Sequence, residues 1–284
     1  MPEHRFATAL TVLVISPFSL NAQATEQEAV QTRIEELVVV GRWEDPVGNS
    51  VSASAGVFGQ QEIAQRPLLR TGELLEFVPG LILTQHSGGG KSNQMFLRGF
   101  NLDHGTDFAT WIDGMPINMR THGHGQGYTD VNFIIEELVE RVEFVKGPVH
   151  AGIGDFSSAG AAQMQTSRGL DQGLFKATVG QYDFLRAVAA DSFAVGSGDL
   201  LMGGELRSYE GPWQDIDEDL ELYKALVRYT RETDSGDVWN VAFMAYDASW
   251  NSADQIPRRA VEQNIIDRRG SLDTTVGGES SRYS

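Results

Sequence analysis

Beyond about residue 173 the chain consists of short segments in which apolar and polar side chains alternate. A period of two residues is typical of β-strands whose two faces meet different surroundings. The chain has no uninterrupted run of the roughly 18 apolar residues that a membrane-spanning helix requires. We therefore expect strands of either a membrane β-barrel or a soluble antiparallel sandwich, because both folds give this period. The apolar positions are Phe175, Ala177 and Val179; Leu185, Ala187 and Ala189; Tyr223, Ala225, Val227 and Tyr229; and Trp239, Val241, Phe243 and Ala245, and residues 200–209 are a fifth strand candidate.

The number of these segments bears on the choice between the two folds. The sequence offers five strands, with a sixth starting near Thr274, whereas the smallest outer-membrane barrels use about eight. An unclosed barrel would leave two unpaired edges in hydrocarbon. The barrel interpretation thus predicts that the chain is the N-terminal part of a longer protein. Aromatic residues near the segment ends suit the interfacial girdles of a barrel, namely Tyr223, Tyr229, Trp239 and Trp250.

Composition excludes several classes of function. With 39 Asp and Glu against 22 Lys and Arg, the chain has a formal charge of -17, which disfavours nucleic acid as a partner. The absence of cysteine excludes disulfides, thiolate metal sites and cysteine nucleophiles. A glycine-rich stretch at 87–92 lacks the first glycine of a phosphate-binding loop, since position 85 is Gln. No catalytic triad or carboxylate pair stands at an informative spacing, so we do not expect an enzyme.

The N-terminal residues predict export. Residues 1–24 have a basic start, an apolar run and small residues at the end, as in a secretory signal peptide. A tether follows over residues 25–44 and contains a β-prone run that could add as a strand to the sheet edge of a partner. The alternative is an ordinary first strand of the next domain. The run consists of Glu36, Leu37, Val38, Val39 and Val40.

Residues 45–171 predict a mixed α+β domain rich in glycine. Helical spacing occurs over 61–66 and 71–77, with Thr71 as the N-cap of the second helix and Pro79–Gly80 after its end. Strands are predicted at 81–85, 94–100, 108–113 and 141–145.

Six motifs in this order resemble those of the TonB-dependent outer-membrane receptors. They are the run at 36–41, Leu74–Gly80 (LLEFVPG), Phe96–Phe100 (FLRGF), Trp111–Pro116 (WIDGMP), Val142–Pro148 (VEFVKGP) and the glycine-rich stretch 152–162. The resemblance implies an α+β plug domain at 45–171, followed at 172–284 by the start of an antiparallel transmembrane β-barrel. Residues 36–40 would be the TonB box. It also implies a location in the bacterial outer membrane, with outer-membrane lipid, the TonB inner-membrane complex and a small-molecule or metal-chelate substrate as partners.

Several motif residues are expected to support the plug rather than contact substrate. Arg98 at the end of its strand is expected to be buried and paired with Glu143, since a buried guanidinium requires a counter-charge. Asp113–Gly114 predicts a turn in which Asp bonds its own backbone. Gly147–Pro148 is expected to end a strand, and Gly99 belongs to the same structural set.

The loop at 118–128 (NMRTHGHGQGY) holds the candidate substrate-binding residues. In the receptors that the motifs resemble, this loop lies at the outward apex of the plug. His-x-His in an extended chain points both rings to one side, and neutral imidazole is a good ligand for zinc, copper or nickel. Hydrogen bonding to an organic or chelated ligand is an equal alternative, and no resident cofactor is expected. The candidates are Arg120, His122, His124 and Tyr128 for substrate, and His122, His124, His104 and Asp103 for metal.

The sequence thus predicts TonB-dependent uptake of a metal, a metal chelate or another scarce nutrient, with the plug gating the barrel. The alternative is a soluble periplasmic β-rich protein in which the histidines hold a metal.

Overall fold

The computed structural model of the 284-residue chain describes residues 54–85, 88–148 and 150–284. The predicted signal peptide, the tether with the TonB box, residues 45–53 and His86 lie outside the described residues. Among the helices of the described part, none has the length and hydropathy that crossing a membrane would take.

The first described domain is the α+β domain that the sequence predicts. Its five-stranded sheet has the order β1-β7-β8-β5-β6, in which only β5 and β8 pair in parallel, and a second sheet has the order β2-β3-β4. The elements are β1 (Ala55–Gly59), α1 (Gln60–Gln65), a 3-10 helix (Thr71–Phe77), β2 (Leu81–Thr84), β3 (Gln94–Leu97), β4 (Phe100–Asn101), β5 (Phe108–Ile112), β6 (Met115–Pro116), a 3-10 helix (Glu136–Leu138), β7 (Val139–Lys146), a 3-10 helix (Ala151–Ile153) and β8 (Gly160–Thr166).

The helical segment at 71–77 has the predicted bounds but a different cap. Arg70 occupies the N-cap position, and the carboxylate of Glu73 accepts the backbone N–H of Leu69 at 2.8 Å. Thr71 is therefore not the cap. Its hydroxyl instead accepts a hydrogen bond of 2.8 Å from the ammonium of Lys224, which lies on the second domain.

One prediction for the plug, that Arg98 is buried and paired with Glu143, is not borne out. Arg98 and Gly99 have φ of 52° and 84° and form a tight turn between β3 and β4, so the predicted strand 94–100 is interrupted. The turn leaves Arg98 exposed. Glu143 forms its ion pair with Arg141 at 2.7 Å, so the expected buried Arg98–Glu143 pair is wrong.

The second domain is an antiparallel meander of six strands in the order β14-β13-β12-β11-β10-β9. The predicted sixth segment is thus a strand, although it starts a few residues after Thr274. The strands are β9 (Leu174–Val179), β10 (Leu185–Val195), β11 (Gly198–Tyr209), β12 (Leu220–Glu232), β13 (Val238–Asn251) and β14 (Gly277–Tyr283), with α2 (Arg258–Glu262) between the last two.

Side chains alternate between the two faces of this sheet, as the sequence predicts. In β12, Leu222, Lys224 and Leu226 are buried on the face that packs against the plug, which we call the inner face. Tyr223, on the opposite or outer face, is 53% exposed. The outer face displays a continuous set of large exposed apolar side chains, as a lipid-facing surface requires. Its members include Phe175, Val179, Leu185, Phe193, Val195, Met202, Leu206, Tyr223, Trp239, Val241, Phe243 and Tyr283.

The plug and the inner face share one hydrophobic core. A methyl group added at Gly203 of β11 would lie 2.5 Å from Leu138 of the plug, so the sheet needs a glycine at this contact. Gly90 packs equally closely on Trp250, whose ring would lie 2.1 Å from an added Cβ. Trp250 therefore faces the plug and does not belong to an outer girdle.

Charged side chains complete the interface between plug and sheet. Arg186 of β10 lies 3.0 Å from a carboxylate oxygen of Glu136 and 2.5 Å from one of Glu137, both from the 3-10 helix before β7. Lys224 of β12 lies 3.0 Å from Glu205 of β11. The buried charges of the plug and the inner face thus compensate one another.

Candidate substrate-binding site

Two loops of the plug form the candidate site, one following β4 and the other following β6. The turn Asp113–Gly114, with φ of 50° and 81°, reverses β5 into β6 and so starts the second loop. The carboxylate of Asp113 accepts hydrogen bonds from the backbone N–H of Thr166 at 2.9 Å and from its hydroxyl at 2.7 Å, and it pairs with Arg228. Asp113 therefore ties the turn to β8 and β12 rather than bonding its own backbone.

Asn118 joins the two loops. Its side-chain oxygen accepts the N–H of Thr110 at 2.7 Å. Its amide nitrogen lies 2.9, 3.0 and 3.1 Å from the carbonyls of Gly105, Phe108 and Gly127. One side chain therefore fixes the backbone of both loops, although the sequence alone gave no indication of this role.

The second loop closes on itself and packs tightly on the first. Met119 and Tyr128 form an antiparallel bridge, with hydrogen bonds of 2.9 Å from Met119 to Tyr128 and 2.7 Å from Gly127 to Met119. Gly127 has φ of 83°, and a Cβ there would lie 2.9 Å from the Cα of Thr106. The approach of the two backbones leaves no room for a side chain at this position.

The histidine pair of this loop is organised by Tyr128. The ring of His122 stacks on Tyr128 at 3.9 Å with an interplanar angle of 12°, and the ring of His124 meets Tyr128 edge-on at 5.9 Å. Nδ1 of His122 accepts the backbone N–H of His124 at 3.1 Å. Burial, followed by the neighbouring His124, lowers the pKa of His122.

Tyr128 itself is buried beneath the histidines. Its hydroxyl accepts the backbone N–H of Ser92 at 3.1 Å. Burial raises its pKa to about 12 despite that hydrogen bond, and the carboxylate of Asp130 contributes in the same direction. Tyr128 is therefore a neutral aromatic platform at neutral pH.

The first loop contributes Asp103 and His104. His104 is 2% exposed, and its ring meets that of His124 at 4.3 Å and 76°. Nε2 of His104 lies 3.8 Å from a carboxylate oxygen of the exposed Asp103, and Nδ1 lies 3.1 Å from the carbonyl of Asn93. One potential ligand atom each from Asp103, His104 and His124 lies within 4.8 Å of the other two.

Arg120, predicted from the sequence as a substrate-binding residue, and two nearby carboxylates have other partners. Arg120 is exposed and lies 3.6 Å from Asp155, outside the histidine cluster. Asp107 accepts a hydrogen bond from Ser158, and Asp130 accepts the N–H of Asn132 at 2.8 Å. Burial raises the pKa of Asp130 to about 6. The structure therefore brings together Asp103, His104, His122, His124 and Tyr128, whereas the contact recorded for Arg120 is with Asp155.

A second group of carboxylates lies at the interface between plug and sheet. Glu136, Glu137 and Glu205 also bring oxygens within 4.8 Å of one another. Arg186, Arg207 and Lys224 lie among these oxygens, and Lys176 reaches Glu137 from the rim. Because the cations already compensate the carboxylates, this group is an ion-pair network rather than a metal site.

The lengths of the strand connections indicate the orientation of the site. Short turns at 196–197 and 233–237 lie at one end of the sheet, and long connections at 210–219 and 252–276 lie at the other. Gly89 approaches Glu218 and Gly90 approaches Trp250, so this part of the plug lies at the end with the long connections. Asn132 donates from its side chain to the carbonyl of Gly90 at 3.2 Å, and the Ser92–Tyr128 bond joins the same segment to the histidines.

Comparison with known proteins shows similarity to the receptors whose motifs the sequence resembles. Residues 48–161 match the family model described as the TonB-dependent receptor plug domain. The vitamin B12 transporter BtuB of Vibrio vulnificus is 32% identical over 167 residues, which cover 59% of this chain and 25% of that protein. This chain thus aligns with about a quarter of the length of its curated relative.

Solved receptors share the fold at low identity. The siderophore receptor PirA from Acinetobacter baumannii is 16% identical with a TM-score of 0.54, and the match covers 82% of this chain and 37% of that one. The FrpB iron transporter from Neisseria meningitidis is 16% identical with a TM-score of 0.55, covering 70% and 32%. The predicted fold class, a plug followed by the start of an antiparallel barrel, is confirmed.

Proposed function

We propose that this chain, which carries the plug domain of a TonB-dependent receptor over residues 48–161, takes up a scarce nutrient across the bacterial outer membrane with energy delivered through TonB. Receptors of this class are outer-membrane proteins, so the location predicted from the sequence is confirmed. The transport activity, the substrate and the TonB partner are our proposals.

The observation that most supports this proposal is the way the plug packs against the inner face of the sheet. The histidine site is joined to the end of the plug that lies near the long connections, and Asp113 pairs with Arg228 towards the end with the short turns. In outer-membrane barrels the long loops are extracellular and the short turns periplasmic. Substrate arriving from outside would therefore meet Asp103, His122 and His124, which are exposed at the outward end of the plug.

The interface between plug and sheet is of a kind that would allow the plug to be displaced during uptake. It combines apolar contacts with ion pairs between Arg186 and Glu137 and between Arg228 and Asp113. Water that entered a parted interface would hydrate these charged groups again, so separation costs less there than at a purely apolar surface. A pull on the predicted TonB box at 36–40 could thus displace the plug without unfolding the barrel.

The test uses the predicted TonB box in the full-length receptor. Val38→Pro removes a backbone N–H that strand addition would use, whereas Val38→Ala keeps it. We expect Val38→Pro to abolish receptor-dependent growth under the limiting nutrient, with iron and zinc limitation tested separately, and Val38→Ala to retain it. Equal receptor-dependent growth with both variants would contradict TonB-driven uptake.

The alternative from the sequence is a soluble periplasmic binding protein. The matched plug domain and the apolar outer face of β9–β14 both favour the receptor. Cell fractionation separates the two: the receptor requires detergent for extraction, whereas the binding protein would be released with the periplasm.

A further inference from the structure

We infer that Asp103, His104 and His124 form a binding site for a divalent transition-metal ion of the zinc, nickel or copper(II) type at the outward end of the plug. The inference rests on the proposed function, because it names the substrate that such an uptake receptor would capture there. Two imidazoles and one carboxylate are the ligand set that these ions accept.

The distances permit coordination after small rotations of the exposed side chains. The three ligand atoms lie within 4.8 Å of one another. A tetrahedral ion with bonds of about 2.1 Å holds neighbouring ligands roughly 3.4 Å apart. The side chains of His124 and Asp103 are exposed and lie on separate loops, so their rotation can bring the ligand atoms together around an ion beside the buried His104.

His104 is already oriented as a ligand. The carbonyl of Asn93 can only accept a hydrogen bond, so Nδ1 of His104, 3.1 Å away, carries the ring proton. In the neutral ring Nε2 is then the nitrogen with the lone pair, and it lies 3.8 Å from a carboxylate oxygen of Asp103. A second partner that fixes the tautomer is the usual support of a metal-binding histidine.

His122 and Tyr128 position the site rather than bind the ion. Nδ1 of His122 accepts the N–H of His124, and the hydroxyl of Tyr128 accepts the N–H of Ser92. The stacked pair of rings holds the loop so that the imidazole of His124 faces that of His104. We therefore assign three of the four metal residues predicted from the sequence as ligands, and His122 as a positioning residue.

Charge favours a free cation over an anionic chelate. The whole chain has a formal charge of -17, which raises the local concentration of cations. Among the described residues, the basic side chain recorded beside the Asp103 carboxylate is the imidazole of His104 at 3.8 Å, neutral in this tautomer, and not a Lys or Arg. Arg120, the cation closest along the loop, is engaged with Asp155.

Titration calorimetry on the detergent-purified full-length receptor tests the inference, with Zn²⁺ as the probe and Mg²⁺ as the comparison ion. We expect one Zn²⁺ per receptor that Mg²⁺ does not displace, at least tenfold weaker binding in His124→Ala, and weaker binding in Asp103→Asn. His150→Ala, which changes a histidine outside the cluster, is the matched control and should bind as wild type. His122→Phe, which keeps the stacking but loses both ring nitrogens, should weaken binding less than His124→Ala.

His104 is buried, and its substitution would disturb folding, so no His104 variant is used. The visible absorption spectrum of bound Co²⁺ provides a second measurement of the site instead. Receptor loaded with Co²⁺ should show the visible absorption of a tetrahedral nitrogen and oxygen site, and His124→Ala should abolish it. Zinc affinity and cobalt absorption that are both unchanged in His124→Ala would overturn the site.

The outcomes separate this inference from the proposed function. Growth that depends on the TonB box, in a receptor that does not bind zinc, would overturn the metal site alone and favour a chelate or organic substrate. Zinc binding that His124→Ala abolishes, in a receptor whose uptake tolerates Val38→Pro, would overturn the proposed function alone.

Discussion

Arg186 of β10 places a guanidinium nitrogen 2.5 Å from the carboxylate of Glu137, and so joins the inner face of the sheet to the plug. Burial alone would raise the pKa of Glu137, but the hydrogen bonds and charge of Arg186 outweigh it and hold the pKa at about 2. The ionised form of Glu137 is therefore stabilised in the assembled protein. The ion pair connects the sheet to the plug, the part that moves in the proposed uptake.

Attachment of the plug should weaken in acid because of this pair. A carboxyl with a pKa near 4.5 in the unfolded chain and about 2 in the folded protein contributes its full stabilisation above pH 4.5. That contribution is lost as the pH falls from 4.5 towards 2. Glu137→Gln should remove this part of the pH dependence and lower plug stability at neutral pH by about 1–3 kcal/mol. Hydrogen exchange of plug amides in the full-length receptor measures both effects.

Glu140→Gln is the control for this prediction, because it changes an exposed carboxylate on the neighbouring strand β7. It should leave the pH profile near that of wild type. Equal effects of the two substitutions would show that the Arg186 pair does not hold the plug.

Gly90 and Trp250 should be coupled energetically. A methyl group at Gly90 would lie 2.1 Å from the Trp250 ring, and overpacking of this kind typically costs about 1–3 kcal/mol. Gly90→Ala should therefore destabilise the docked plug, whereas Gly152→Ala, with open space around the added atom, should not. Trp250→Ala should relieve the clash, so the double variant should be less destabilised than the sum of the single ones. Additive effects in hydrogen exchange would contradict the contact.

The sequence predicted the sheet well because each alternating segment carries its own signal. Tyr223 and Lys224, next to each other in β12, already indicate opposite faces by their polarity, and the structure exposes one and buries the other. The glycine-rich turns and motif order likewise predicted the plug. Local rules do not specify long-range partners, however, and for this reason the predicted pairing of Arg98 with Glu143 is wrong.

The residues of the candidate site stand out in the sequence, whereas the contacts that support them do not. His122 and His124 form a short motif that can be read from the sequence. The bond from His104 to Asn93 and the four bonds of Asn118 join residues from separate loops, and no spacing rule predicts them. Arg120 is near the histidines along the chain, but in the structure its exposed guanidinium lies beside Asp155 at 3.6 Å.

Asn118 should control the order of both loops. Asn118→Asp keeps the oxygen that accepts from Thr110 but places a second oxygen against the carbonyls of Gly105, Phe108 and Gly127. Oxygens at this distance repel, so we expect local destabilisation of about 1–3 kcal/mol and zinc affinity reduced severalfold. Faster hydrogen exchange of the Thr110 and Gly127 amides would report the change.

Gln126→Ala provides the control for Asn118, because the contact of Gln126 with Thr106 uses its backbone carbonyl. It should preserve both loop order and zinc affinity. Wild-type exchange rates in Asn118→Asp would show that the loops hold together by other means.

The outer face should tolerate no charge if it faces lipid. Val241 of β13 is 67% exposed on that face, whereas the neighbouring Asn240 points to the inner face. An arginine on the lipid side of a barrel costs about 2–4 kcal/mol at the bilayer midplane and about 0–1 kcal/mol at the interfaces, and we expect an intermediate cost at Val241, the fourth residue of the 14-residue β13. Val241→Arg should therefore reduce the yield of folded full-length receptor in lipid vesicles, and Asn240→Arg, with the same added charge, should reduce it less. Folding is followed by the shift in electrophoretic mobility between boiled and unboiled samples. If both variants folded equally well, lipid could not be the medium that contacts Val241, and the apolar outer face would need another partner.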